Sequence, residues 1–184
     1  MQFEKRVKLG DGRECLLRNG REEDARAVLD NFILTHAQTD YLLSYPDEIR
    51  FTVEQEEQYL KGKTEKADEV EIRAVVDGAI IGTAGIESVG RQEKLKHRAD
   101  FGISIAREYW GLGIGRALTE ACIACARQAG YAQLELSAVA ENRRAVGLYR
   151  SLGFAEYGRN PRGFRSRQSG WQELIYMRLE LETT

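Results

Sequence analysis

Residues 99–129, ADFGISIAREYWGLGIGRALTEACIACARQA, carry two different apolar periods joined by a run of glycines, and few architectures accept that order. Phe101, Ile103 and Ile105 alternate with polar or small residues, the period of a half-buried strand. Gly111, Gly113 and Gly115 follow, and then Ile114, Leu118, Ala121, Cys122, Cys125 and Ala129 fall at helical spacing. The pattern predicts a strand, a glycine turn and a helix in direct succession. Glycine in such a turn lets the backbone take left-handed angles and lets a ligand approach the amides with no Cβ in the way. The free N–H groups of a helix start carry partial positive charge and suit a phosphate or diphosphate.

Two familiar phosphate loops are excluded by residue identity. A Walker loop needs Lys and then Ser or Thr after its last glycine, and Arg116-Ala117 stands there. A dinucleotide fingerprint read from Gly113 gives G-I-G-R-A-L, with Leu118 where its third glycine belongs. A merely flexible loop does not explain glycines spaced regularly between a strand and a helix. The C-x-x-C of Cys122 and Cys125 lies on the apolar face of the helix and has no second cysteine pair to complete a zinc site. Both are expected as small core residues, as is Cys15 in an earlier strand pattern, and no metal site is expected.

Before this stretch, Glu14–Arg18 reads as a strand ending at an Asn19-Gly20 turn, and 21–36 is amphipathic. The aromatic segment Thr39–Pro46 breaks that pattern and suits either a packed connection or a wall of an acceptor pocket. Thr52-Val53-Glu54-Gln55 is a capping box opening a helix to about Lys63, in which Glu54, Glu56 and Glu57 read as a solvated face. Runs 70–76 and 79–89 meet at Asp77-Gly78, a strong hairpin signal, and a charged loop, 91–98, leads to the central strand. After the central helix come a strand over 132–139, a helix capped by Asn142 and stopped at Gly153, and closing strands at 154–157 and 171–181. Between those last strands, Arg159, Arg162, Arg165 and Arg167 suggest a basic loop, either an exposed hairpin tip or a lip over an anionic ligand.

Of 184 residues 42% are apolar and 30% charged, which suits one globular domain spanning 1–184. A net charge of −2 argues against nucleic acid as the main partner. No apolar run is long enough to cross a membrane, and MQFEKRVKLGDGRE lacks the apolar core of a secretory leader. With three cysteines and no such leader, a reducing, cytoplasmic setting is expected.

Two motifs in the right order give the chain a family. ISIAREYWGLGIGRAL (103–118) resembles the strand, Arg/Gln-x-x-Gly-x-Gly/Ala turn and helix of the GNAT superfamily of acyl-CoA-dependent N-acyltransferases. ENRRAVGLYRSLGF (141–154) is similar to that family's N-x-x-A-x-x-L-Y-x-x-x-G-F signature. One departure is Trp110, which stands where the family usually has Arg or Gln; such variants are familiar in branches resembling ribosomal-protein and small-molecule acetyltransferases.

The resemblance implies an α/β (α+β) fold, a mixed, mostly antiparallel twisted sheet flanked by helices. It implies acetyl-CoA as co-substrate and an amine, small or protein-borne, as acceptor. A homodimer is common in such families. It places the diphosphate on the amides of Trp110, Gly111, Leu112, Gly113, Ile114, Gly115 and Arg116. Ile103, Ser104 and Ile105 would pair with the pantetheine arm as an added strand does, where the central strand and the strand at 134–139 splay apart. Asn142 and Ala145 would contact the cofactor arm, and Tyr149 would protonate the leaving thiolate. For the base, Asp100 is the first candidate and Glu87 the second, with His97 or a water chain behind them; His36 is given no role. A binding-only sensor with no turnover would keep the same glycine turn.

The chemistry follows without the family. An alkyl amine with a pKa near about 10.4 must lose a proton before it attacks a thioester. A fixed backbone N–H near Ile105 would stabilise the developing oxyanion by roughly 3 kcal/mol, and a Tyr hydroxyl in reach can serve the leaving sulfur.

Overall fold

The alternation at Phe101–Ile105 recurs along the chain, and the strands it makes join edge to edge. In the computed structural model, which describes residues 1–181, eight strands form one sheet in the order β1-β2-β3-β4-β5-β6-β8-β7. They are β1 (Glu4–Lys8), β2 (Glu14–Asn19), β3 (Val70–Val76), β4 (Ala79–Ser88), β5 (Arg98–Ile105), β6 (Gln133–Val139), β7 (Ala155–Ser166) and β8 (Gly170–Glu180). Every pairing is antiparallel except β5 with β6. That parallel step needs a crossover, which helix α3 (Ile114–Gln128) supplies. The remaining helices are α1 (Ala25–Gln38), α2 (Val53–Glu65) and α4 (Arg143–Ser151). The mixed, mostly antiparallel sheet expected from the sequence is therefore the observed one.

Strand alternation sorts the two faces. Ile72 and Ala74 of β3, Ile86 of β4 and Phe101 of β5 pack in the main core with Leu118 and Cys122 of α3. Cys15, Cys122 and Cys125 are all buried and unpaired. The opposite face of β3 carries Glu71 and Arg73 towards α2. Asp77 and Gly78 both have positive φ, 50° and 82°, the geometry of the tight hairpin their sequence signals. Thr52 and Gln55 exchange the two bonds of a capping box at the start of α2, at 3.2 and 2.9 Å.

Three expectations change. β1 is absent from the sequence pattern because it is a charged edge strand, EKRVK, with Val7 as its single apolar residue. Glu56, expected on a solvated face, is 7% exposed and approaches the buried guanidinium of Arg73 at 3.8 Å. Arg167 lies in the turn between β7 and β8, while Arg159, Arg162 and Arg165 belong to β7 rather than to a loop. There a register shift between Asn160 and Phe164 absorbs Pro161 and Gly163, and a Cβ on Gly163 would stand 2.4 Å from Leu174. Arg159 is held by Glu156 and Glu173, and Arg167 by Asp47, so neither is a free lip over a ligand.

Candidate active site

β5 and β6 begin side by side and then part. Their ladder runs only from Arg98–Gln133 to Asp100–Glu135, while β6 goes on to Val139 against β8. On its other side β5 stays paired with β4 as far as Ile105. The bonds Val89 N–H to Arg98 C=O (3.0 Å) and Ala106 N–H to Ile81 C=O (2.9 Å) fix the phase of that ladder. The even-numbered residues therefore bond to β4, and the odd-numbered Phe101, Ile103 and Ile105 turn their backbone groups into the opening. One of these groups is taken, since the Trp110 indole N–H donates to the Ile105 carbonyl at 2.7 Å.

The glycine turn stands at the mouth of this opening. Gly111 and Gly113 have φ of +88° and +94°, and Gly113 caps α3. Nothing lies within 4 Å of where a Gly113 Cβ would be, so that side of the turn is open space. A cleft of about 330 Å³ runs from the turn along the split and gathers Ile103, Ser104, Ile105, Trp110, Gly111, Gly113, Gly115, Arg116, Asn142, Ala145 and Tyr149. Leu112 and Ile114 do not line it. The Leu112 carbonyl accepts from Gly10 N–H at 3.0 Å, and the Ile114 side chain is buried in the core.

Asn142 caps α4 through its side-chain oxygen, which accepts from Ala145 N–H at 3.3 Å, and this orients the helix so that Tyr149 reaches the cleft. Tyr149 is 7% exposed and packs edge-on against Phe101 at 6.1 Å between ring centroids. Burial pushes its hydroxyl up to about 12. Asp100 closes the ladder at the apex of the split, and its side chain is the only one of the nearby carboxylates without an ion-pair partner among the described residues. Its low-polarity surroundings, and secondarily Glu135 and Glu87, push it up to about 6, although the carboxyl still meets solvent. Glu87 pairs with Lys63 and accepts from Tyr59 at 3.2 Å. Glu135 is clamped by Arg98, with one bond of 2.7 Å. His97 is exposed in the turn before β5, and His36 stacks on Phe32; burial holds it below the usual imidazole range, against the contact with the Phe32 carbonyl.

Sequence patterns missed several residues here. Arg144 lies 5.7 Å above the Trp110 ring and beside Gly111, giving the turn a cation that Trp110 cannot. Its position two residues after Asn142, in ENRRAV, was the available signal. Thr39, Tyr41 and Leu42, from the segment that the sequence offered as a pocket wall, also line the cleft. Their segment is latched to the β7–β8 hairpin, where the Asp40 carboxylate accepts from Ser166 Oγ (2.6 Å) and Ser169 Oγ (2.8 Å). Arg167 bonds Asp47 and lies 4.1 Å over the Tyr45 ring.

The chain belongs to the GNAT acetyltransferase family, whose model matches residues 31–154. It is 35% identical over 88 residues to the N-alpha-acetyltransferase RimI of Mycobacterium tuberculosis, 48% of this chain and 53% of that one. It is 33% identical over 82 residues to human N-acetyltransferase 8B, 44% of this chain and 36% of that one. The matches thus span about half or less of these curated relatives. A GNAT-family acetyltransferase from Streptococcus pneumoniae superposes with a TM-score of 0.86 at 26% identity, covering 90% of this chain and 99% of that one. No helix among the described residues is long and apolar enough to cross a membrane.

Proposed function

We propose that the protein transfers an acetyl group from acetyl-CoA directly to a primary amine. The observation that carries this is the opening between β5 and β6, whose unpaired backbone edge runs straight into the glycine turn. The amides of Gly111, Gly113, Gly115 and Arg116 hold the diphosphate at the start of α3, with Arg144 beside them; the Trp110 amide, expected among them, instead donates to the Arg107 carbonyl at 3.1 Å. The pantetheine arm lies along Ile103 and its neighbours as an added strand. The Ile105 carbonyl, bonded to Trp110, is not available to it.

The thioester carbonyl then sits near the apex of the split, within reach of a free N–H on the open edge of β5. Asp100 removes a proton from the ammonium, the amine nitrogen bonds to the carbonyl carbon, the C–S bond breaks, and the nitrogen sheds its second proton to solvent as the amide forms. Tyr149 donates to the departing sulfur. A carboxylate with no ion-pair partner and a tyrosine hydroxyl with no side-chain hydrogen bond, both among the described residues, favour turnover over a binding-only sensor. Three buried, unpaired cysteines fit a reducing, cytoplasmic setting.

Calorimetry with acetyl-CoA, followed by thiol release against a panel of amines, tests this. Saturable binding and amine-dependent release of CoA are expected, and no binding at millimolar acetyl-CoA would overturn it. Gly113→Val puts a branched side chain at φ +94° on the ligand side of the turn. We expect acetyl-CoA affinity to fall at least about tenfold, with a stability loss of about 1–2 kcal/mol from left-handed strain, read by calorimetry and denaturant midpoint.

A further inference from the structure

A second cavity, of about 390 Å³, lies on the other face of the sheet, beneath α1, α2 and the segment joining them. Its walls are apolar, formed by Val28, Leu29, Phe32 and Phe51. Its floor is not. Glu71 bonds the Arg73 guanidinium at 2.8 Å and Glu56 approaches it at 3.8 Å, with side-chain exposures of 18%, 9% and 2% for Glu71, Glu56 and Arg73. Two carboxylates thus share one buried guanidinium, leaving a net negative charge under an apolar chamber. Glu48 and Arg50 also line the chamber, and Glu48 is engaged outside it by Arg167 at 3.7 Å. Burial holds the Glu56 carboxyl above its usual range; Arg73 pulls it down and Glu71 adds a smaller upward push.

This chamber adjoins the cofactor cleft. Thr83 lines the chamber, Ser104 lines the cleft, and their hydroxyls meet at 3.4 Å across the β4–β5 pair. Gly85 and Gly102, the next pair along, leave that strip of sheet without side chains between Glu71 and Asp100. Two strand spacings and one two-residue step separate those acids, roughly 12 Å along the sheet. The segment that roofs the chamber is tied to the β7–β8 hairpin at two points, where Asp40 accepts from Ser166 and Ser169 and where Asp47 accepts from Arg167 of the hairpin turn.

We infer that this chamber receives the body of the acceptor, and that the acceptor is a small diamine: one ammonium rests on the Glu56–Glu71 floor while the other amine reaches the thioester beside Asp100. The inference rests on the acetyl-transfer function proposed above. An apolar wall accepts the methylene chain, and a floor short of one positive charge selects a second cation over a methyl end.

The test compares matched acceptors on the intact protein: hexylamine with diaminohexane, octylamine with diaminooctane, and a short peptide with a free N-terminus. In thiol release, kcat/KM for the better diamine should exceed that of its monoamine at least tenfold, with the peptide lowest. Glu56→Gln should remove most of that preference, read as the diamine-to-monoamine ratio of kcat/KM, while leaving acetyl-CoA affinity within about twofold. Glu71→Gln, checked by thermal melting beside it, guards against a folding defect in either variant. Calorimetric titration of the CoA-saturated protein with the same amines reads the chamber without turnover, so that a failure of acetyl transfer is distinguished from a failure of diamine recognition. Equal binding of monoamine and diamine, or a peptide turned over best, would overturn the inference.

Discussion

Replacing Tyr149 with Phe should lower kcat for acetyl transfer by about 10²-fold or more and leave acetyl-CoA affinity within about twofold. The ring keeps its place between Phe101 and Phe154, at 6.1 and 5.9 Å, so the substitution removes a hydroxyl and little packing. With the phenol pushed up to about 12, the donor is protonated throughout the neutral range, and it should set no limb of the pH profile below about pH 10. The sulfur leaves as a thiolate, whose thiol has an ordinary pKa of about 8.5. The tyrosine therefore acts mainly by a hydrogen bond that strengthens as charge builds on sulfur, an interaction made in the transition state and not in the ground state. Unchanged kcat in Tyr149→Phe would remove the residue from the reaction.

Asp100→Asn should lower kcat/KM by about 10²–10³-fold, for loss of a general base. The pH profile separates this role from a structural one. A base pushed up to about 6 gives a rate that rises through pH 6 and levels off above it, and in Asp100→Asn that limb should vanish. Stability moves the other way. The folded-state value lies above the ordinary carboxylate 3.8, so the contribution of this group is greatest at low pH and is lost as pH rises through 6. Asp100→Asn at pH 7 should therefore be no less stable than the parent in a denaturant titration, because it relieves a carboxylate that faces Glu135 and Glu87. A persistent acid limb in this variant would shift the role to another group. Glu87 is the weaker claimant, being paired with Lys63.

What was legible in the sequence is what depends on neighbours along the chain. The strand, glycine turn and helix of 101–129, the Asp77-Gly78 hairpin and the Asn142 cap each rest on contacts within a few residues, and each formed where its pattern placed it. The misses share the opposite property. Asp40 meets Ser166 across 126 positions, and no local period marks either residue. Glu56 sits in an acidic helix that reads as solvated, yet Arg73 of a distant strand pulls it inward. A buried ion cluster imitates a surface in sequence, because its charges are satisfied only in three dimensions. The arginines of β7 misled for a related reason, since Pro161 and Gly163 signal a loop although an edge strand with a register shift can carry both.

The split between β5 and β6 also bears on the mechanical integrity of the molecule. Three residue pairs join the two halves of the sheet along that seam, and beyond them the backbone of Phe101, Ile103 and Ile105 faces a gap. A pantetheine chain laid into the gap would act as a mortise joint, tying β4 and β5 to the block formed by β6, β7 and β8. Loading the donor and stiffening the scaffold then become one event, and the empty enzyme is the more compliant of the two forms.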